Sequence, residues 1–467
     1  MKTAPWVPPM VAGLAAALVY ANAAANGFVL DDRGIILQNP LVQEPARAWQ
    51  AFVSPYWPAA VGGGQYRPLG IVSFAVDHAI AGNSAAWFHV VNVAWHVAAT
   101  VLLSLLALSL GGATMALAAG LVFAVHPVHV EAVANIVGRL ELMAATFGLA
   151  TLLLHRRRSP WAVVTFAAAL GSKESAVVYP LLALLLDRLP GASSRSARPL
   201  WIGYAVALAL WAGMMSYALR DAVLSTTSAV FAGLTLSERL LTVLSIVPHY
   251  ARLLLVPAQL SADYEPGVIT AVTTLMPMVL AGILVMLLAA IVGWRTRRRA
   301  PVVAVTLAWI VVAIAPVSNV VLVTGVALAE RTLYLASAGA AIAVGWLATR
   351  PLTSRATAQL VLSGVLAAGA WRTWTRTPVW QDSRSFALQL LEDHPESYRG
   401  HWVAARVLRS GGDLPAAARE YAVAHSIYPG DSAMLREATE VAQALGDGAG
   451  AMRWRAVADS LHLARAR

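Results

Sequence analysis

Two adjacent carboxylates, Asp31-Asp32, stand directly after the first apolar run of the chain. At a membrane edge such a pair divides labour: one accepts a proton from an attacking hydroxyl while its neighbour orients a loop or a substrate. Asp31-Asp32-Arg33-Gly34 is also good turn chemistry, and the dipeptide taken alone favours a capped, solvated turn. Further along, His126-Pro127-Val128-His129-Val130-Glu131 and Gly138-Arg139-Leu140-Glu141 gather two imidazoles, two carboxylates and a guanidinium between apolar runs. Ionisable groups at membrane depth cost roughly 2.5–3.5 kcal/mol on insertion scales, so they mark either a site or an internal ion pair. Arg139 carries the planar fork that suits phosphate, and a structural Glu–Arg pair accounts for the same residues. His126 and His129 are zinc-type donors without a third and fourth, so no metal site is expected.

Lys173-Glu174 lies between two short apolar runs, and Glu330-Arg331 opens another ahead of Tyr334. Adjacent opposite charges neutralise partners on other helices in one reading. In the other, Arg139, Lys173 and Arg331 surround a lipid-linked phosphate and stabilise the charge that grows as it leaves. Asp263-Tyr264-Glu265 then forms an outer loop over the same cavity.

These residues need a membrane scaffold to hold them. Of 467 residues, 58% are hydrophobic and 12% charged, against roughly 45–50% and about 25% in soluble domains. Long apolar runs occur at 9–30, 86–110, 200–219, 273–293, 301–317, 331–348 and 356–371, and shorter ones at 112–126, 140–154, 160–171 and 175–187. The clusters Arg156-Arg157-Arg158, Arg188 to Arg198, Arg295 to Arg299, and Arg350 with Arg355 fall in short connections and are expected in the cytoplasm, as is Lys2. Eleven crossings satisfy them, with the N-terminus cytoplasmic and the run at 239–256 held at the outer interface. The start of the chain also fits a signal peptide, with Ala21, Ala23 and Ala25 after the apolar run; an uncleaved first span is the preferred reading. The outer loops are then 31–85, 126–139, 172–175, 220–272 and 318–331, and they hold the polar residues named above. Trp49, Tyr56, Trp57, Tyr66 and Trp87 suit the first of them, or its end, to the membrane surface.

The formal charge of +10 comes from these short flanking clusters rather than from one soluble face, which argues against nucleic acid as a partner. No cysteine is present, so disulfides and thiolate metal sites are excluded. After Trp371 the composition turns soluble and amphipathic, dividing the chain into a membrane part, 1–371, and an extracytoplasmic tail, 372–467. Pro395 and Pro429 lie 34 residues apart, as do Gly412-Asp413 and Gly446-Asp447, the period of tetratricopeptide (TPR) helix pairs. A small helical cap is the alternative, and a TPR-like tail could recruit a protein partner.

In order along the chain, Phe28-Val-Leu-Asp31-Asp32-Arg-Gly-Ile-Ile-Leu-Gln-Asn39-Pro40, Tyr66-Arg67-Pro68-Leu, His126-Pro-Val-His129-Val-Glu131-Ala-Val, Gly138-Arg139-Leu-Glu141-Leu, Lys173-Glu174 and Ala329-Glu330-Arg331-Thr-Leu-Tyr334 resemble the transmembrane and tetratricopeptide repeat-containing O-mannosyltransferases and their bacterial relatives. The resemblance implies an all-α, GT-C-like polytopic membrane domain followed by repeats, and a catalytic acid in the first outer loop, here Asp31 or Asp32. It implies a polyprenyl-phosphate sugar, mannose in the family, as donor and a protein or glycan hydroxyl as acceptor. The compact, Ala-rich chain points to a bacterial inner membrane and an undecaprenyl or decaprenyl carrier. Ala336 stands where the family often has proline, and the tail is short beside the many repeats of eukaryotic members.

The expected activity is inverting transfer to a hydroxyl on the outer face of the membrane. The substrate-binding residues would be His126, His129, Glu131, Arg139, Glu141, Lys173, Glu174, Asp263, Tyr264, Glu330, Arg331 and Tyr334. No cofactor is required, and the sequence leaves open whether a divalent ion assists. Two other classes compete: a non-catalytic TPR scaffold for envelope assembly, and a lipid-linked sugar transporter, against which the one-sided placement of polar residues counts.

Overall fold

The computed structural model describes residues 4–58, 64–191, 193–222, 228–350 and 354–465; the expected cytoplasmic signal Lys2 lies outside them. Among the described residues the regular structure is helical throughout. Every apolar run named above carries a helix. Runs 86–110 and 112–126 form one stretch, Ala85–Ala124, divided at Gly112, whose φ of 82° is a conformation that side-chain-bearing residues avoid. Proline sits in the first turn of Val7–Val19, Pro68–Ala81, Arg198–Ala218, Pro277–Thr296 and Pro301–Ile314, where its fixed φ suits a helix start and its missing N–H costs nothing.

Among the described residues five helical stretches are long and apolar enough to cross a membrane: Val7–Ala25, Ala85–Ala124, Ile136–Arg156, Arg198–Ala218 and Pro277–Thr296. Their surroundings differ. The apolar window of Ile136–Arg156 is 78% buried, so this helix is the protein's interior, whereas that of Pro277–Thr296 is 11% buried and offers its sides to lipid. Leu236–Leu255, which covers the run at 239–256, is not among the five. It starts with a Thr235–Glu238 capping box, contains Pro248, and buries Thr242, Ser245, Ile246, Tyr250 and Leu253.

The segment 31–85, expected as the first outer loop, carries helices of its own. Asn39 caps Pro40–Gln43, a 3-10 turn follows at Pro45–Val53, and Pro68–Ala81 returns as an apolar helix. Its aromatics divide: Trp49 is exposed, while Tyr56 and Tyr66 are buried, the latter donating to the Phe52 carbonyl at 2.9 Å.

The tail comprises helices Ser383–Asp393, Tyr398–Ser410, Leu414–Ile427, Ser432–Ala444 and Gly448–Arg465, with a core of its own around Ala405, Tyr421, Met434 and Leu435. Its landmarks recur after 34 positions: Ser397 and Asp431 cap helix starts, Gly412 and Gly446 turn at φ 85° and 76°, and Asp413 and Asp447 accept from the amides of Ala416 and Gly450. The tail is tied to the exit of the first span, where Gly27 N donates to Gln381 O at 2.8 Å and Asn26 Nδ2 to Thr377 O at 3.1 Å. A second tie joins Ser397 Oγ to Asp263 Oδ2 at 3.1 Å.

Candidate active site

Asp31 and Asp32 open a short helical turn that continues as a π-helix, Arg33–Leu37, just after Leu30, whose φ is 50°. Non-glycine residues held at positive φ and π-helical turns both cost conformational energy and collect at functional sites. The two carboxylates have different surroundings. Asp32 is buried and holds backbone: its Oδ2 accepts from Val29 N and its Oδ1 from Val137 N, both at 3.0 Å. Burial pushes its carboxyl up to about 7, although the backbone amides oppose the shift. Asp31 is partly exposed, and its side chain makes no hydrogen bond or ion pair to any described residue.

Three ion pairs stand in the same region. Arg67 grips Glu174 through two bonds of 2.9 and 2.5 Å. Lys173 pairs with Glu141, both buried. Arg331 meets Glu131 twice, through its backbone N at 2.9 Å and its Nη1 at 2.5 Å. Longer-range attraction and repulsion link the pairs: Arg331 also feels Asp31, Glu141 and Arg67, and Lys173 feels Arg67 and Glu174. Residues from six separate stretches therefore share one field of charge. Its glutamates each hold a cation and the neighbouring Asp32 holds backbone amides, so Asp31 is the carboxylate that no described residue engages. Arg331 is 27% exposed and uses one Nη on Glu131, so the rest of its guanidinium remains open to a ligand.

Arg139 does not join this group. It is wholly enclosed between the rings of Phe74 and Phe88, pairs with Asp77, and donates to Asn92, Ser73 and the Phe88 carbonyl. Its guanidinium is enclosed and engaged from within, the arrangement of a structural ion pair.

His126, His129 and Tyr334 also lie elsewhere, in a stack with His96 and Phe123 whose neighbouring ring centroids are 4.5–5.9 Å apart. His96 Nδ1 meets the Tyr334 hydroxyl at 2.7 Å, His129 Nε2 meets Ser337 Oγ at 2.6 Å, and His126 Nε2 lies 3.2 Å from Leu254 O. These imidazoles pack the core. Among the described residues no group of three His, Asp or Glu side chains is placed to hold a metal.

Asp263, Tyr264 and Glu330 form a third group, on the side facing the tail. Glu330 accepts from Ser261 N at 2.6 Å and from the Tyr264 hydroxyl at 2.8 Å; burial pushes its carboxyl up to about 8, with Arg376 opposing. Asp263 lies 3.5 Å from Arg399 of the tail. Glu330 and Arg331, adjacent in sequence, thus serve different clusters.

Sequence reasoning quoted Arg67 only within a family motif, without a site role, and passed over Asp77, Asn92 and His96. Arg67 carried a signal, a cation immediately before the proline that starts a helix at the end of the first loop. Asp77 carried another, a lone acid in an apolar helix, which calls for a buried partner.

No protein-family model and no solved structure matches the chain. Curated sequences do match. A protein O-mannosyl-transferase of Caenorhabditis elegans is 26% identical over 415 residues, covering 86% of this chain and 60% of that protein. The chain resembles the TMTC O-mannosyltransferases. Drosophila melanogaster Tmtc2 is 32% identical over 284 residues, 55% of this chain and 30% of its own length. Human TMTC3 is 26% identical over 423 residues, 80% of this chain and 46% of its own. The chain thus spans between 30% and 60% of the length of these TMTC relatives.

Proposed function

We propose that the protein is a membrane glycosyltransferase that moves a sugar, mannose by analogy with the names of its relatives, from a polyprenyl-phosphate donor to a hydroxyl acceptor on the outer face of the membrane. The observation that carries the reading is Asp31: a partly exposed carboxylate with no bonded partner among the described residues, beside three cations each matched to a glutamate. Such a group is ready to take a proton, while Asp32 holds the Val29 and Val137 amides beside it.

The acceptor hydroxyl oxygen attacks the anomeric carbon, its proton passes to Asp31, and the bond from that carbon to the phosphate oxygen breaks. Polyprenyl phosphate leaves with the bonding electrons, and configuration inverts. The open edge of Arg331, backed by Arg67 and Lys173, stabilises the phosphate as its charge grows. Phosphate is a good leaving group, so the paired acid of glycoside hydrolysis is not needed. Glu131, Glu141 and Glu174 hold the three cations in place rather than contacting the sugar.

The same reading takes all eleven apolar helices as crossings in a GT-C-like membrane domain, 1–371, of a bacterial inner membrane, with the N-terminus in the cytoplasm. The tail, 372–467, is read as extracytoplasmic and TPR-like, and the 34-residue recurrence of its caps and turns supports that. It would meet a protein or glycan acceptor at the outer face.

The test is release of polyprenyl phosphate from radiolabelled polyprenyl-phosphate sugars by membranes holding wild type, Asp31→Asn or Asp32→Asn at matched expression. Loss of turnover with Asp31→Asn is expected. Equal turnover in wild type and Asp31→Asn would falsify the assignment of the base, and a wild type inert with every donor would favour a scaffold.

A further inference from the structure

A second concentration of positive charge lies apart from the Asp31 cluster. A cavity of about 270 Å³ opens where the ends of Leu236–Leu255, Arg355–Arg376 and Ser383–Asp393 meet, with Arg252, Gln259, Arg372, Asp393 and His394 in its wall. Arg252 and Arg372 are half-buried. Each is anchored by one N–H on a backbone carbonyl: Arg252 Nη1 donates to Gln259 O at 2.7 Å and Arg372 Nε to Ala258 O at 3.0 Å. Among the described residues neither has a carboxylate within ion-pair distance. The acid in the wall, Asp393, is held by both Nη atoms of Arg376 at 3.1 and 2.5 Å, and His394 faces Glu396 at 3.1 Å. Two fixed guanidiniums therefore face the cavity with unused donors and, among the described residues, no acid in ion-pair contact; Asp393, the acid nearby, is taken by Arg376.

The surroundings indicate what fills it. Leu255 and Val256, just past Arg252, are 77% and 63% exposed, and Trp371, next to Arg372, is 71% exposed. Along the same helix Leu360, Val361 and Val365 are exposed as well. An apolar stripe leading to tryptophan and then arginine matches the order of a bilayer: acyl chain, interface, phosphate.

We propose that the Arg252–Arg372 cavity binds the phosphate of an anionic membrane lipid, whose chains lie along the exposed face from Leu360 to Trp371. Guanidinium and phosphate match through paired N–H donors, and a zwitterionic headgroup would bring its own cation against the two arginines. Asp393 and His394 belong to the tail, so a bound lipid also braces the tail against the membrane helices. The site takes no part in the transfer chemistry and stands or falls separately from it.

Two experiments on the full chain test this. In native mass spectrometry of detergent-purified protein, wild type is expected to retain phosphatidylglycerol over phosphatidylcholine, and Arg252→Gln/Arg372→Gln to lower that retention tenfold or more. Unchanged retention by the folded double variant overturns the proposal. Because both substitutions also release loop carbonyls, the second experiment uses the unaltered chain, with phenylglyoxal modification of arginine in nanodiscs read by peptide mass. Arg252 and Arg372 are expected to be protected in phosphatidylglycerol discs and modified in phosphatidylcholine discs, with Arg406 of the tail reacting equally in both. Equal modification of Arg252 and Arg372 in the two discs overturns the proposal, and equal protection by millimolar inorganic phosphate in phosphatidylcholine discs overturns the assignment to a lipid.

Discussion

His129 and Glu131 are two residues apart, yet they serve regions of opposite character. Glu131 reaches Arg331 in a partly open field of alternating charge that Asp31 also faces. His129 turns into a closed stack of rings with His96, Phe123 and Tyr334. The sequence placed both among the candidate substrate-binding residues. Exposure separates them: the stack is enclosed, whereas the partly open charged field keeps one carboxylate and one guanidinium edge without a bonded partner among the described residues. A polar residue at membrane depth gains a functional reading only after its internal partners have been counted.

Substitution on each side of that contrast should break it or sharpen it. The largest effect is expected at Asp31: Asp31→Asn should lower transfer by about 10²–10⁴-fold, the usual contribution of a placed general base. The unfolding midpoint should stay near that of wild type, because no described residue depends on the Asp31 side chain. A lowered midpoint with undiminished turnover per folded molecule would reverse the two roles.

Arg139→Met comes next, and it acts on folding. The substitution leaves Asp77 buried without its cation, and breaking a buried pair costs about 3–5 kcal/mol. The double variant Arg139→Met/Asp77→Leu should recover much of that stability in a detergent unfolding series. Full stability together with a raised donor KM in the single variant would return Arg139 to the phosphate site.

Much of the fold was legible before any coordinates. Runs of apolar residues of the right length placed the helices, Gly112 divided the longest of them, and the 34-residue spacing of Gly412 and Gly446 located the turns of the tail. Asp31, Glu131, Lys173 and Arg331 were legible as a set because charge at membrane depth is costly. Their pairing was not. Arg139 and Arg331 read alike in sequence, each within a few residues of a glutamate, and only the packing of Pro68–Ala81 brings Asp77 to one of them. Arg67 was lost for the same reason, since its partner Glu174 lies 107 positions away.

A smaller effect, and one that depends on pH, is expected at Asp32. Burial raises its folded pKa to about 7 from an ordinary carboxylate value near 3.8. Across that window the native state holds a proton that the unfolded chain has released, so this group makes stability fall as pH rises from about 4 to 7 and level off above. Asp32→Asn cannot titrate, so wild type should gain stability relative to the variant as pH falls from about 7 to 4. A constant difference from pH 4 to 8 would mean that Asp32 is ionised throughout.

The smallest effect is expected at His129. Its Nδ1 has no partner, and its Nε2 meets a serine hydroxyl that can still donate to the Tyr334 carbonyl at 2.7 Å. Phenylalanine keeps the ring in a site already walled by Phe123 and Tyr334, so His129→Phe should cost about 1 kcal/mol, the net worth of one hydrogen bond. Transfer activity and its pH profile should be those of wild type. A loss of turnover comparable with that of Asp31→Asn, at preserved stability, would place an imidazole in the reaction and erase the distinction between the two regions. Retained activity would confine the chemistry to the carboxylate side, where the sequence had already placed its candidate base, Asp31 or Asp32.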